Sequence, residues 1–372
     1  MSELPAPGPA QVPVAPEPAY ERLVDLVVQI AQTPSPTFEE DDRAALVSRL
    51  WRDAGLVPER DGVGNVVATV PGGQGETVLV AAHLDSVFPR GTDVKVRREG
   101  DRLLGPGVGD NAASLAVLTA YLQEPPDRRP RLVVAATVGE EGAGDLRGAR
   151  RVVADWAGDI QHFVALDGHL GSICHQGVGS LRHEVTMTSA GGHSWGDYPS
   201  PSAVHAVGGA VSRLARLSVP KEPRSSLNVG LLWGGTSVNT IAAEAGFALD
   251  LRSVDQHTLD LLWEASENEL RAAADAEGCA VRIERIGARP AGTSDNQRLV
   301  AAARAALEAA GVKASLAAAS TDANAAMAAG ISAISFGAYR GGGAHTLGEW
   351  VEAASLPTGL AAFRDLLERL SA

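Results

Sequence analysis

The chain has 372 residues, 45% of them apolar and 21% charged, with 32 Lys and Arg against 45 Asp and Glu for a net charge of −13. That length suggests two domains, or three, and the composition is globular rather than disordered or fibrous. The acidic balance argues against nucleic acid or an anionic membrane surface as a partner, and no apolar run reaches the roughly 20 residues that span a bilayer.

The two cysteines, Cys174 and Cys279, are far apart. They exclude a disulfide scaffold or a cysteine-rich zinc module and fit a reducing compartment. Residues 1–19 hold six prolines and no apolar core of a signal peptide, so they read as a disordered Pro/Ala arm and the expected location is cytoplasmic.

From Tyr20 on, Leu23, Leu26, Val27, Ile30 and Ala31 follow a helical period. Pro34 and Pro36 stop that helix, and Thr37 with Glu40 reads as a capping box opening a second helix that ends near Gly55. Strands are expected at Gly64–Val70, Thr77–Leu84, Arg131–Thr137 and His162–Leu166, with helices at Ala112–Leu122 and Leu146–Trp156. The last three strands are almost purely apolar, as in a mostly parallel α/β sheet covered on both faces.

After Cys174 the pattern changes. Leu181, His183, Val185 and Met187 alternate with polar residues, a half-exposed strand. A helix Ala203–Leu217, strands Ser226–Trp233 and Glu244–Val254, a helix Leu259–Ala276 and a strand Ala280–Ile286 complete a β-α-β-β-α-β order, ferredoxin-like. The α/β pattern returns with helices near Asn296–Ala310 and Asp322–Ala329, a strand Ala333–Phe336 and a helix after Leu356. The expected organisation is therefore an α/β domain in two parts, 20–176 and 289–372, with a second domain, 177–288, inserted between them.

Several strand ends carry chemistry. His83 and Asp85 close the run Val78–Leu84 and share one side of a strand. Such a pair suits a metal ligand and the group that orients it, or a plain polar strand end. Asp110 follows the glycine-rich Gly105–Gly109, which suits a phosphate cradle but lacks the P-loop and dinucleotide spacings; alone, Asp110 reads as a helix cap. Glu140 and Glu141 follow a buried strand, where open α/β sheets place their sites, although a Glu-Glu pair alone is more commonly a solvated loop. Asp167 ends another strand, and His345 lies in the loop Gly341–Thr346. Together these are nitrogen and oxygen ligands without a cysteine, a set that suits two zinc-like ions sharing one carboxylate.

In order and spacing, His83-Leu-Asp85, Gly109-Asp110-Asn111, Glu140-Glu141-Gly142, Asp167 and Gly343-Ala344-His345-Thr346 resemble the co-catalytic dizinc peptidases. That family includes peptidase T, glutamate carboxypeptidase, aminoacylase, acetylornithine deacetylase and succinyl-diaminopimelate desuccinylase. The resemblance covers nearly all of the chain after the arm. It implies a zinc-exopeptidase catalytic domain with an inserted ferredoxin-like domain serving as lid and dimerisation surface.

The same resemblance implies the roles. His83 and Asp167 would bind one ion, Glu141 and His345 the other, with Asp110 bridging and Asp85 supporting His83. Glu140 would be the general base. A cis peptide is implied between Asp110 and Asn111. In the inserted domain, His193 resembles the lid histidine that serves a partner subunit's site, and Asn239 and Arg252 resemble the substrate-contacting pair. Arg252 suits a carboxylate, which a guanidinium binds with two parallel hydrogen bonds. The other histidines, among them His162 and His183, match no motif and read as structural.

The expected protein is a cytoplasmic homodimeric metallopeptidase holding two divalent ions, zinc with cobalt or manganese acceptable. Its substrates would be short peptides. Asp167, where the resembling carboxypeptidases and deacylases usually have glutamate, favours a tripeptide or dipeptide aminopeptidase of the peptidase T kind. The rivals are an N-acyl-amino-acid deacylase, a glutamate-type carboxypeptidase and, more remotely, a non-catalytic binding protein on the same fold.

Overall fold

The computed structural model describes residues 17–371, with side chains from Ala19. Most of the expected arm lies outside the described residues. Its last three positions do not: the first helix spans Glu17–Ala31. Pro18 falls in the first turn, where a missing N–H leaves no hydrogen bond unmade.

The chain divides into two compact units. The first comprises the residues up to His175, Ser294–Ala317 and the residues from Thr321 on. Its main sheet has eight strands in the order Glu59–Arg60, Val66–Val70, Pro130–Thr137, Gln74–His83, His162–Leu166, Ser332–Phe336, Ser172–Gly177 and Ser315–Ala319. The four strands Pro130–Thr137, Gln74–His83, His162–Leu166 and Ser332–Phe336 run parallel.

Those four strands are covered on both faces, which is why they read as unbroken apolar runs. Val78, Val80, Val134, Val164 and Phe336 point into one core, with the helices Glu17–Ala31, Asp41–Asp53, Ala112–Gln123, Gln297–Ala309 and Ser355–Arg369. Their neighbours Leu79, Val133, Ala135, Phe163 and Ala333 point into the other, with Arg147–Trp156 and Ala323–Ala328. The helix Ala112–Gln123 is buried almost all round, so it carries no polar stripe.

The register places carboxyl ends side by side. His83 pairs with Thr137, and Leu166 with Phe336. The residues just beyond these ends, Asp85, Glu140, Glu141 and Asp167, therefore emerge at one edge of the sheet, where open α/β sheets put their chemistry.

A second, smaller sheet brings in the rest of the site. It runs Arg340–Gly342, Trp350–Glu352, Arg102–Leu104, Arg97–Glu99, all antiparallel. Trp350 pairs with Leu104. The hairpin that carries His345 is thereby tied to the strand that leads into Gly105–Asp110.

The capping box is not formed. The helix Asp41–Asp53 has Glu40 at its N-cap without a side-chain cap bond. Thr37 donates instead to Asp85, and Glu40 pairs with Arg147 while accepting the Gly139 N–H. Long-range partners near the strand ends outcompete a local cap.

The second unit comprises Gln176–Thr293 with Ala318–Ser320. Its sheet order is Ser225–Gly234, Glu244–Ser253, Gly179–Thr188, Ala280–Arg289, antiparallel throughout. The helices Ala203–Leu214 and Gln256–Glu277 pack on it around Val185, Met187, Phe247, Leu249 and Leu251. Asp255 caps the longer helix by accepting the Thr258 N–H at 2.7 Å. Neither cysteine is in a disulfide, and both are buried. Among the described residues, no helix is long and apolar enough to cross a membrane.

Candidate metal centre

Two imidazoles converge on one carboxylate. His83 Nε2 lies 2.9 Å from Asp110 Oδ1, and His345 Nε2 lies 3.2 Å from Asp110 Oδ2 and 2.9 Å from Glu141 Oε1. One ligand atom from each of His83, Asp110 and Glu141 falls within 4.8 Å of the others. Asp167 stands close enough for the charges of Asp110, His83 and Glu141 to act on it.

The main chain makes this arrangement. His83 ends its strand, and its Nδ1 faces the Asp85 carbonyl at 3.0 Å, which points Nε2 at Asp110. The Asp110–Asn111 peptide is cis, as the resemblance implied. Asp110 is not a helix cap: Asn111 holds that position, without a side-chain cap bond. The Asn111 amide instead donates to the Leu166 carbonyl at 3.0 Å, beside Asp167. His345 has a φ of 65° and follows Gly343 at 73°, so a left-handed turn aims its ring.

Charge crowds here. Burial and then the Asp110 charge push the Asp167 carboxyl up to about 7. Burial also pushes Asp110 up, but the hydrogen bonds to His345 and His83 overcome it and leave Asp110 below the ordinary carboxylate range. His345 is raised to about 10 by its bonds to Asp110 and Glu141. Burial lowers His83, but Asp110 and Asp85 outweigh it and hold the ring well above its usual value.

An imidazole nitrogen and a carboxylate oxygen both present lone pairs, so such contacts need a proton or a cation between them. Two imidazoles and three carboxylates, with one carboxylate shared, fit a pair of divalent ions by donor chemistry.

Asp85 sits behind the cluster and is fully buried. It accepts the N–H groups of Glu140 and Glu141 and the Thr37 hydroxyl, each at 2.9 Å. Glu140 is itself buried, 5% exposed, at the strand end. His193, Asn239 and Arg252 all belong to the second unit. There His193 pairs with Thr240 across a two-stranded ladder, and the Ser194 N–H donates to the Asn239 carbonyl at 3.0 Å. Arg252 does not stand alone: its Nε donates to Asp250 at 2.8 Å.

Sequence reasoning missed three contributors. Arg43 is a buried cation that donates to the carbonyls of Thr33 and Leu84, and burial lowers its pKa to about 10. Asp322 is buried and accepts the Thr137 hydroxyl at 2.5 Å. Glu349 is buried and accepts three main-chain N–H groups around Asp110. None of them lies in a motif; only their burial marks them.

Residues 79–369 match the model of the peptidase family M20/M25/M40. The chain belongs to that family. By sequence it is 29% identical over 186 residues to a Mycobacterium tuberculosis protein provisionally described as the succinyl-diaminopimelate desuccinylase DapE, covering 47% of this chain and 51% of that one. It is 30% identical over 122 residues to a Pyrococcus furiosus protein provisionally described as a [LysW]-lysine/[LysW]-ornithine hydrolase, covering 33% and 35%. The aligned part thus spans about half the length of the first of these relatives and about a third of the second.

Solved structures share the fold. The aminopeptidase PepT of Bacillus cereus superposes with a TM-score of 0.79 at 20% identity, over 95% of this chain and 99% of that one. A tripeptidase of Staphylococcus aureus gives 0.81 at 19% identity, over 95% and 98%.

Proposed function

We propose that this protein is a metal-dependent hydrolase of amide bonds in short peptides, acting from the amino end as a tripeptide or dipeptide aminopeptidase. The observation that carries the proposal is the Asp110 carboxylate shared between the His83 and His345 imidazoles at 2.9 and 3.2 Å. That arrangement suits two cations bridged by one carboxylate. His83 and Asp167 would hold one ion, Glu141 and His345 the other, and Asp110 both. Bound there, a pair of divalent ions supplies Lewis acidity for a scissile carbonyl and an acidified water.

The chain's own residues supply the rest. Glu140 takes a proton from the attacking water and passes it to the leaving amine. Asp85 fixes the backbone of Glu140 and the ring of His83. Asp167, shorter by one methylene than a glutamate, leaves its side of the site open to a free amine. Arg252 and Asn239 hold the substrate's carboxylate end.

The second unit acts as a ferredoxin-like lid through which two copies associate, with His193 serving the partner copy's site. Support comes from Ser225–Gly234, an edge strand that exposes Leu231, Leu232 and Trp233. Such an edge is a template for pairing.

A second proposal, an N-acyl-amino-acid deacylase, draws on the sequence relatives, whose descriptions are of a desuccinylase and a [LysW]-amino-acid hydrolase. One experiment separates the two. Zinc-loaded protein is offered a tripeptide, its N-acetylated form and an N-succinyl amino acid. The aminopeptidase cleaves the free tripeptide and loses most of its rate on acetylation. A rate that survives or rises on acylation means the free amine is not read, and the deacylase or the carboxypeptidase takes its place.

A further inference from the structure

The glycine-rich loop before Asp110 has the look of an anion nest, with several main-chain N–H groups turned inward. The group it holds is the protein's own Glu349 carboxyl. Glu349 Oε2 accepts the Gly107 N–H at 2.7 Å, and Oε1 accepts those of Gly109 at 2.9 Å and Asp110 at 2.7 Å. Only 1% of Glu349 is exposed. This accounts for Gly109: a Cβ there would lie 2.8 Å from Glu349 Oε1 and 2.7 Å from the Tyr339 ring.

The backbone of Glu349 makes two further links. Its carbonyl accepts the Gly105 N–H at 3.0 Å, and its N–H donates to the Thr346 carbonyl at 3.2 Å. One residue therefore grips the loop Gly105–Asp110 at four points. It also closes the turn that begins at Thr346, the residue after His345. The strand Trp350–Glu352, which starts at the next residue, pairs with Arg102–Leu104 at the other end of the same loop.

We propose that Glu349 is the positioning residue that sets Asp110 against His345, and so fixes the spacing of the ligands on which metal binding depends. The inference rests on the metal-holding role of the site given under Proposed function. A general role in packing would touch stability alone. A positioning role must also reach metal affinity, because it acts on the backbone of the shared ligand itself. Partners of this kind typically change metal affinity by about 10-fold to 100-fold.

Gln is the informative replacement. Its Oε1 still accepts from Gly109 and Asp110, but its NH2 group meets the Gly107 N–H donor to donor. Metal-stripped wild type, Glu349→Gln and Glu349→Ala are titrated with Zn2+ against a competing chelator, with far-UV circular dichroism on each. Cobalt-loaded samples report ligand geometry through their visible bands. The expected order of zinc affinity is wild type, then Gln weaker by about 10-fold or more, then Ala, with the cobalt bands shifted in both variants. Should Ala fail to fold, the Gln variant decides. Wild type that binds zinc beside a Gln variant matching it within about twofold, a difference below any expected of such a partner, overturns the inference alone. Wild type that takes up no zinc overturns the functional proposal beneath it, and the inference with it.

Discussion

Asp85 accepts the main-chain N–H of Glu141 at 2.9 Å, while its other carboxylate oxygen accepts that of Glu140 at the same distance. Side chains that ligate or move protons must be held at the backbone as well as at their tips. Asp85→Ala removes both acceptors in a fully buried place. Each unmet donor costs about 1–3 kcal/mol, and zinc affinity is expected to fall by about 10-fold to 100-fold. A urea melt of apo protein and a zinc titration measure the two effects separately. A variant unchanged in both refutes the role.

Glu140→Gln keeps shape and burial but cannot accept a proton. Turnover of a tripeptide is expected to drop by about 10²–10⁴-fold with zinc stoichiometry intact. Asp110→Ala is the contrast: it should lose metal, since both imidazoles lose their shared partner. Half of wild-type activity in Glu140→Gln would exclude it as the base.

The ring of His193 has a defined proton. Its Nδ1 accepts from the N–H groups of Trp195 at 3.2 Å and Gly196 at 3.3 Å, so the proton sits on Nε2. That nitrogen is ready to donate to a carbonyl oxygen. His193→Ala should lower kcat more than it raises KM, by about 10²–10³-fold as for loss of an oxyanion donor. Mixing His193→Ala with Glu140→Gln subunits should restore activity if the donor serves a second copy. No recovery in a mixture shown to exchange subunits would place its action elsewhere.

The strands that end at His83 or just before Glu140 and Asp167 were legible because burial on both faces leaves an apolar signature that ends where polar chemistry begins. The small sheet joining His345 to the Asp110 loop was not. Its strands are each three residues long, rich in Arg and Gly, and too short to show a period. Ser315–Ala319 was hidden for another reason: Ser-Leu-Ala-Ala-Ala favours a helix by propensity, yet the sheet recruits it as a strand. Glu349 and Arg43 lay in no motif, because what defines them is which distant carbonyls and amides they meet.

His183 makes a pH-dependent contribution in the second unit. Its ring stacks on Trp263 at 3.6 Å. Burial, then the Arg285 charge, lower its pKa to about 4 against a smaller opposing effect of Glu267. The native state thus binds fewer protons than the unfolded chain between about pH 6.5 and 4. The stabilisation is present above pH 6.5 and is lost as pH falls through that window. His183→Phe keeps a ring against Trp263 and removes the titration. The stability of wild type relative to this variant should drop by on the order of 1 kcal/mol between pH 7 and pH 5. A constant difference across that range would contradict the assignment.

The Glu40–Arg147 pair tests what replaced the capping box. Glu40 is 4% exposed, both its oxygens lie 2.8 Å from Arg147 Nη2, and Oε1 also accepts the Gly139 N–H at 3.0 Å. If Glu40 acted as a cap, Glu40→Ala would cost about 1 kcal/mol and affect only the helix Asp41–Asp53. As the buried partner of a partly exposed Arg147 and the acceptor of the buried Gly139 N–H, it should cost about 2–3 kcal/mol, chiefly because that donor is left unmet. The double variant Glu40→Ala/Arg147→Met should recover part of that loss, as isolated removal of one charge is worse than removal of both. Gly139 immediately precedes the proposed base, so the single variant should also lower kcat while zinc affinity holds. A loss near 1 kcal/mol, with no recovery in the double variant and unchanged turnover, would return Glu40 to the role of a simple helix cap.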